Sequence, residues 1–75
     1  MKARNQTQFM DALGKRVAEV RKSKGVTQEQ LAALTGLDRV AIAYIETGKR
    51  MPRVTSIYKI AVGLGVDVSE LFRGL

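Results

Sequence analysis

This chain of 75 residues contains no cysteine, no histidine and no tryptophan. Without thiols or imidazoles there can be no disulfide, no Cys/His metal site, no thiol nucleophile and no histidine general base. The lack of thiols also means that redox compartment leaves no mark on the sequence. Aromatic residues are limited to two tyrosines and two phenylalanines, and proline occurs once. No apolar run approaches the roughly 18 residues that a membrane-spanning helix needs. The polar start, Met1-Lys-Ala-Arg-Asn-Gln-Thr-Gln8, lacks the apolar stretch of a signal peptide. A cytoplasmic protein without metal, cofactor or membrane partner is expected, folded as one domain near the lower size limit for a core held by packing alone.

Positive charge is what the chain has in excess, 13 Lys and Arg against 7 Asp and Glu for a net +6. Most of it lies within Lys2–Lys24 and Arg39–Lys59, whereas Ala61–Leu75 holds only Arg73 beside Asp67 and Glu70. One basic face and one weakly charged end point to a polyanionic partner on the first. A merely solubilising surface is the bland alternative.

Helical spacing runs through the sequence. Phe9, Leu13, Val17 and Val20 share one side of a helix whose Lys15, Arg16, Glu19 and Lys22 mostly face away. Gly25 is placed to close it in the left-handed conformation. Residues 1–8 are expected to be a flexible arm, leaving 9–75 as the folded domain. Thr27-Gln-Glu-Gln30 is a capping box that opens a second helix at Gln28, and Gly36 ends it. Asp38 offers a cap carboxylate to a third helix running to Thr47. Lys49-Arg-Met-Pro-Arg53 reads as an exposed basic loop, with Met51 kept extended by Pro52. Ile57, Ile60, Ala61 and Leu64 mark a fourth helix stopped near Gly65. Asp67-Val-Ser-Glu70 is a second capping box, ahead of a last helix carrying Leu71 and Phe72. No segment alternates like a half-buried strand, so the expected fold class is all-α with five helices.

Two short helices separated by one glycine suggest a helix-turn-helix at helices two and three. Such a pair crosses steeply, so the chain reverses within about three or four residues. Gly36 supplies positive φ there, Ala32 is small where the helices approach, and Leu31, Leu37, Ile42 and Ile45 face inward. An ordinary helical hairpin could share these features, but the outward arc of helix three is more specific. At the helical rotation per residue, Arg39, Val40, Ala43, Tyr44 and Thr47 fall together, opposite Asp38, Ala41, Ile42 and Ile45. An arginine fork, two small apolar groups, a phenol and a hydroxyl suit a DNA major groove, where arginine pairs with guanine and apolar groups meet thymine methyls. A solvated face would be richer in Glu and Lys. Gln28 at the start of helix two, with Lys49, Arg50 and Arg53 beyond helix three, are candidates for gripping phosphates. Arg21 and Glu46 border the apolar stripes of their helices. They are expected to form a structural salt bridge rather than an acid/base pair. Val68, Phe72 and Leu75 exceed what a short last helix needs to cover its own core, and are expected to form a dimer interface.

The segments Thr27-Gln-Glu-Gln-Leu-Ala32, Gly36-Leu-Asp-Arg39, Ile45-Glu-Thr-Gly-Lys-Arg50 and Pro52 resemble the Cro/C1-type (XRE) helix-turn-helix family. Ile60-Ala-Val-Gly-Leu-Gly-Val-Asp-Val-Ser-Glu-Leu-Phe72 extends the resemblance, which spans residues 9–72. Gly36-Leu-Asp-Arg39 is also similar to the controller proteins of restriction–modification systems. The resemblance implies a compact five-helix, lambda-repressor-like DNA-binding domain, without enzymatic activity, acting as a homodimer on a two-fold operator. Carried over by position, it places base contacts on Arg39, Val40, Ala43 and Tyr44. Phosphate contacts fall on Gln28, Thr47, Lys49, Arg50 and Arg53, and the family's buried ion pair on Arg21 and Glu46. Two features depart from the family. Arg53 stands where members often carry the Ser or Thr that caps helix four, and Val40 and Ala43 replace residues that are frequently polar.

A transcriptional regulator is therefore expected, with double-stranded DNA as partner and RNA polymerase as a second candidate. An antitoxin-type regulator would need an extra segment to hold its toxin, and only residues 1–8 are spare. A protein-interaction module would show a neutral or acidic helix-three face, which Arg39 and the cations of 49–53 oppose.

Overall fold

A computed structural model describes residues 5–75. They form α1 (Gln6–Ser23), α2 (Gln28–Thr35), α3 (Arg39–Glu46), α4 (Val54–Leu64) and α5 (Val68–Leu71), with no strand among the described residues. The expected all-α, five-helix class is the observed one.

Four of the five helices, α4 being the exception, begin where a side chain answers an unpaired first-turn amide. Thr27 and Gln30 form the expected reciprocal box on α2, at 3.0 and 2.8 Å. Asp38 accepts from the Val40 amide at 3.1 Å. A further box starts α1, where the Asn5 side chain accepts from Gln8 N–H at 2.8 Å and the Gln8 side chain accepts from Asn5 N–H at 3.3 Å. Residues 5–8, expected in a flexible arm, are thus the cap and first turn of a helix. Apolar spacing locates the buried face of a helix and passes over its polar first turn. Residues 1–4, the rest of that arm, lie outside the described residues.

The core joins Leu13, Val17 and Val20 of α1 to Leu31, Ile42 and Ile45 of the α2–α3 pair. Ile57, Ile60, Ala61 and Leu64 of α4 close it from the far side, with Leu71 and Leu75. Helix α1 packs against the end of α3 at Gly14. A methyl group there would overlap the carbonyl oxygens of Ile45 and Glu46. A mid-helix glycine costs about 0.5–1 kcal/mol relative to alanine, and here the bare Cα lets two backbones touch.

The C-terminal end differs from expectation in two ways. Asp67 caps α5 through the Ser69 amide at 3.2 Å, but Glu70 does not complete a box. Its carboxylate instead meets Arg16 Nη2 at 3.2 Å and Arg73 Nη2 at 2.9 Å, while Arg16 Nε donates to the Glu70 carbonyl at 2.7 Å. Glutamate gains more from two guanidinium groups than from one amide, and α5 is strapped to α1 as a result. Leu75, expected at a dimer interface, is buried in the core of its own chain. The chain turns after Phe72, where Leu75 N–H bonds the Phe72 carbonyl at 3.2 Å, and the Leu75 side chain joins the core cluster.

Candidate nucleic-acid interface

The turn between α2 and α3 is built on Gly36, with φ 74° and its N–H bonded to the Ala32 carbonyl at 2.9 Å. Thr35 reinforces it. Its hydroxyl donates to the Leu31 carbonyl at 2.8 Å and accepts from Leu37 N–H at 3.2 Å. Sequence spacing did not single out this residue, although a threonine just before a turn glycine is the signal that could have found it.

The inward side of α3 is anchored by Ile42 and Ile45, both buried. Its outward side carries Arg39, Val40 and Tyr44 exposed, with Ala43 partly covered between them. Val40 is 44% exposed and Tyr44 39%. The expected base-contacting set therefore shares one open face.

Behind this face lies a polar network. Arg21 and Glu46 meet as a two-pronged pair, Nε to Oε2 at 2.7 Å and Nη2 to Oε1 at 3.1 Å, and Arg21 Nη1 also donates to the Val26 carbonyl at 2.8 Å. Gln28 Nε2 donates to Glu46 Oε1 at 3.0 Å, and Arg39 Nη1 donates weakly to Gln28 Oε1 at 3.5 Å. A chain of contacts thus runs from the buried ion pair to the first side chain of α3. The amide side chain of Gln28, expected on a phosphate, is committed within the protein. The hydroxyl hydrogen of Thr47 is committed too, donated to the Ala43 carbonyl at 2.8 Å.

At its C-terminal end α3 closes in a Schellman motif. Gly48, at φ 73°, bonds the Ile45 carbonyl at 3.2 Å, and Lys49 N–H bonds the Tyr44 carbonyl at 2.9 Å. The chain is folded back over the last turn, so that Arg50 comes to lie over the Tyr44 ring, 5.2 Å from its centre. Lys49 and Arg53 are exposed on either side of it.

The profile of the helix-turn-helix family matches residues 17–71 of this chain. The chain belongs to the helix-turn-helix family.

Among its relatives, the control protein C.MunI of Mycoplasma is 42% identical over 60 residues, which cover 79% of this chain and 81% of that one. The uncharacterised HTH-type transcriptional regulator y4dJ of Sinorhizobium fredii is 37% identical over 59 residues, covering 79% of this chain and 77% of that one. Among solved structures, the restriction–modification controller protein C.AhdI from Aeromonas hydrophila superposes with a TM-score of 0.85 at 38% identity. The match covers 87% of this chain and 98% of that one. This helix-turn-helix protein also carries an apolar groove, lined by Phe9, Met51, Val54, Tyr58, Val68 and Phe72. Val68 and Phe72 of the expected dimer set border this groove, and Val54 and Tyr58, which sequence patterning did not single out, extend it along α4. No helix of the described residues is long and apolar enough to cross a membrane.

Proposed function

We propose that this DNA-binding transcriptional regulator recognises a two-fold operator as a homodimer, with α3 of each protomer in a major groove. The outward face of α3 carries the proposal. A guanidinium, a valine and a phenol sit exposed together, with Ala43 partly covered between them, on a helix fixed from behind by a buried ion pair. Arg39, Val40, Ala43 and Tyr44 are assigned to the bases. Phosphates are assigned to Lys49 and Arg53, and to the amides that open α2 at Gln28 and Glu29, where helix-terminal donors favour an anion. Thr47 can join them by rotating its hydroxyl away from the Ala43 carbonyl. Val54, Tyr58, Val68 and Phe72 are assigned to the partner protomer. The family is one of regulators rather than enzymes, and the proposed place of action is the cytoplasm. RNA polymerase enters as a partner where regulation is by activation.

Selection of bound sites from random duplex DNA tests this. The expected product is a two-fold motif whose half-sites are about 34 Å apart, one turn of B-DNA. Arg39→Ala should reduce operator binding by about 1–3 kcal/mol while leaving random-sequence binding nearly intact. Failure of the wild-type chain to enrich any motif refutes sequence-specific regulation. An equal loss on both duplexes would make Arg39 a phosphate clamp.

A further inference from the structure

Loop cations that follow a DNA-reading helix ordinarily answer phosphates, for which a charge is enough. Arg50 is held differently. The Schellman closure at Gly48 returns the chain over α3, and the guanidinium carbon lies 5.2 Å from the Tyr44 ring centre, inside the roughly 6 Å reach of a cation–π contact. Both side chains are exposed, and no carboxylate among the described residues pairs with Arg50. Stacking covers one face of a guanidinium and leaves its edge of N–H donors open, the part that bonds two acceptors at once. Tyr44 lies on the same outward arc as Arg39, but toward the other end of the eight-residue α3.

We propose that Tyr44 and Arg50 form one base-reading unit. The ring holds the guanidinium so that its edge faces the floor of the groove, and Arg50 bonds the O6 and N7 acceptors of a guanine at a different position in the half-site from the base read by Arg39. This rests on the placement of α3 in the major groove. It makes Arg50 a determinant of specificity rather than a phosphate clamp, and gives Tyr44 a positioning role besides any contact of its own.

Three variants test it. Arg50→Lys keeps the charge and loses the fork, Tyr44→Leu keeps apolar bulk and loses the ring, and the third combines both. Each is titrated against the selected operator and a scrambled duplex at several salt concentrations, and its preferred site is reselected. Arg50→Lys should keep scrambled-duplex affinity within about twofold, with an unchanged salt slope. Its ratio of operator to scrambled affinity should fall by about five- to one-hundred-fold. Reselection should then lose the preference for one guanine at a position that Arg39→Ala leaves intact. Tyr44→Leu should weaken preference at that same position, and the double variant should lie within about twofold of the weaker single one. An unchanged ratio in Arg50→Lys, or full additivity in the double variant, overturns the Tyr44–Arg50 unit alone, provided that the wild type enriches a motif altered by Arg39→Ala. A wild type that enriches no motif overturns the placement of α3, and this unit with it.

Discussion

A carboxylate withdrawn from water costs several kcal/mol unless its oxygens are answered. The side chain of Glu46 is only 5% exposed, and both its oxygens are answered, by two nitrogens of Arg21 and by the Gln28 amide. Removing it would leave a buried guanidinium whose remaining contact is the Val26 carbonyl. Glu46→Ala is therefore expected to cost about 3–5 kcal/mol. Glu19 makes a fair control, because its side chain is 69% exposed and its pairing with Arg16 is loose at 3.8 Å. Its replacement by alanine should cost less than about 1 kcal/mol. Urea denaturation of the two variants separates these outcomes, and equal midpoints would mean that the Arg21–Glu46 pair contributes no more than a surface contact. Glu46→Ala should also lower the discrimination proposed for Arg39, since Gln28 links the two.

Helix α4 has the weakest start of the longer helices. Arg53 occupies its cap position and makes no side-chain capping bond, because a guanidinium is donor-only and the first-turn amides need an acceptor. Serine there is expected to stabilise the fold by about 1 kcal/mol, raising Tm by roughly 4–8 °C in a domain of this size. The same change removes a loop cation, so the slope of log K against log salt should flatten by about one unit per lost phosphate contact. Opposite movements of the melting point and the affinity are the expected result. An unchanged salt slope would remove Arg53 from the phosphate set. The caps at Thr27, Asp38 and Asp67, and the turns at Gly25, Gly36 and Gly65, were legible in the sequence because each depends on residues a few positions apart. The outward arc of α3 was legible for the same reason, through helical rotation. What escaped depends on distances set only by packing. Gly14 looks like a flaw in a helix until α3 lies against it, and Arg16 meets Glu70 across 54 residues of chain. Glu70 was misjudged as half of a box because a nearby amide was the only partner visible along the sequence. The stacking of Arg50 on Tyr44 likewise awaited the reversal of the chain at Gly48.

Taken as a whole, the molecule carries both an exposed cationic loop at 49–53 and an apolar groove that adjoins it at Met51 and Val54. The groove beside α4 and α5 ends at Val54, which is 86% exposed. A substitution at so open a site should change the stability of the folded protomer by no more than about 0.5 kcal/mol. If the groove receives a second copy, Val54→Lys should bring two like charges together there and separate the protomers. Sedimentation equilibrium at micromolar concentration is expected to find the wild type dimeric and Val54→Lys monomeric, with the variant binding half-site and full operator equally well. A wild type that sediments as a monomer would refute the dimer. Gly14 has a consequence at this scale as well. Where helices are separated by interleaved side chains, each can tilt a little as those side chains change rotamer. Here main chain rests on main chain, so α1 and α3 share one frame and the angle of the helix proposed to enter the groove is set when the chain folds. On the proposed placement, DNA would meet a finished edge, and the conformational entropy surrendered on binding would come from a few surface side chains rather than from ordering a helix. Such an interface gives a heat-capacity change that reflects only the surface it covers.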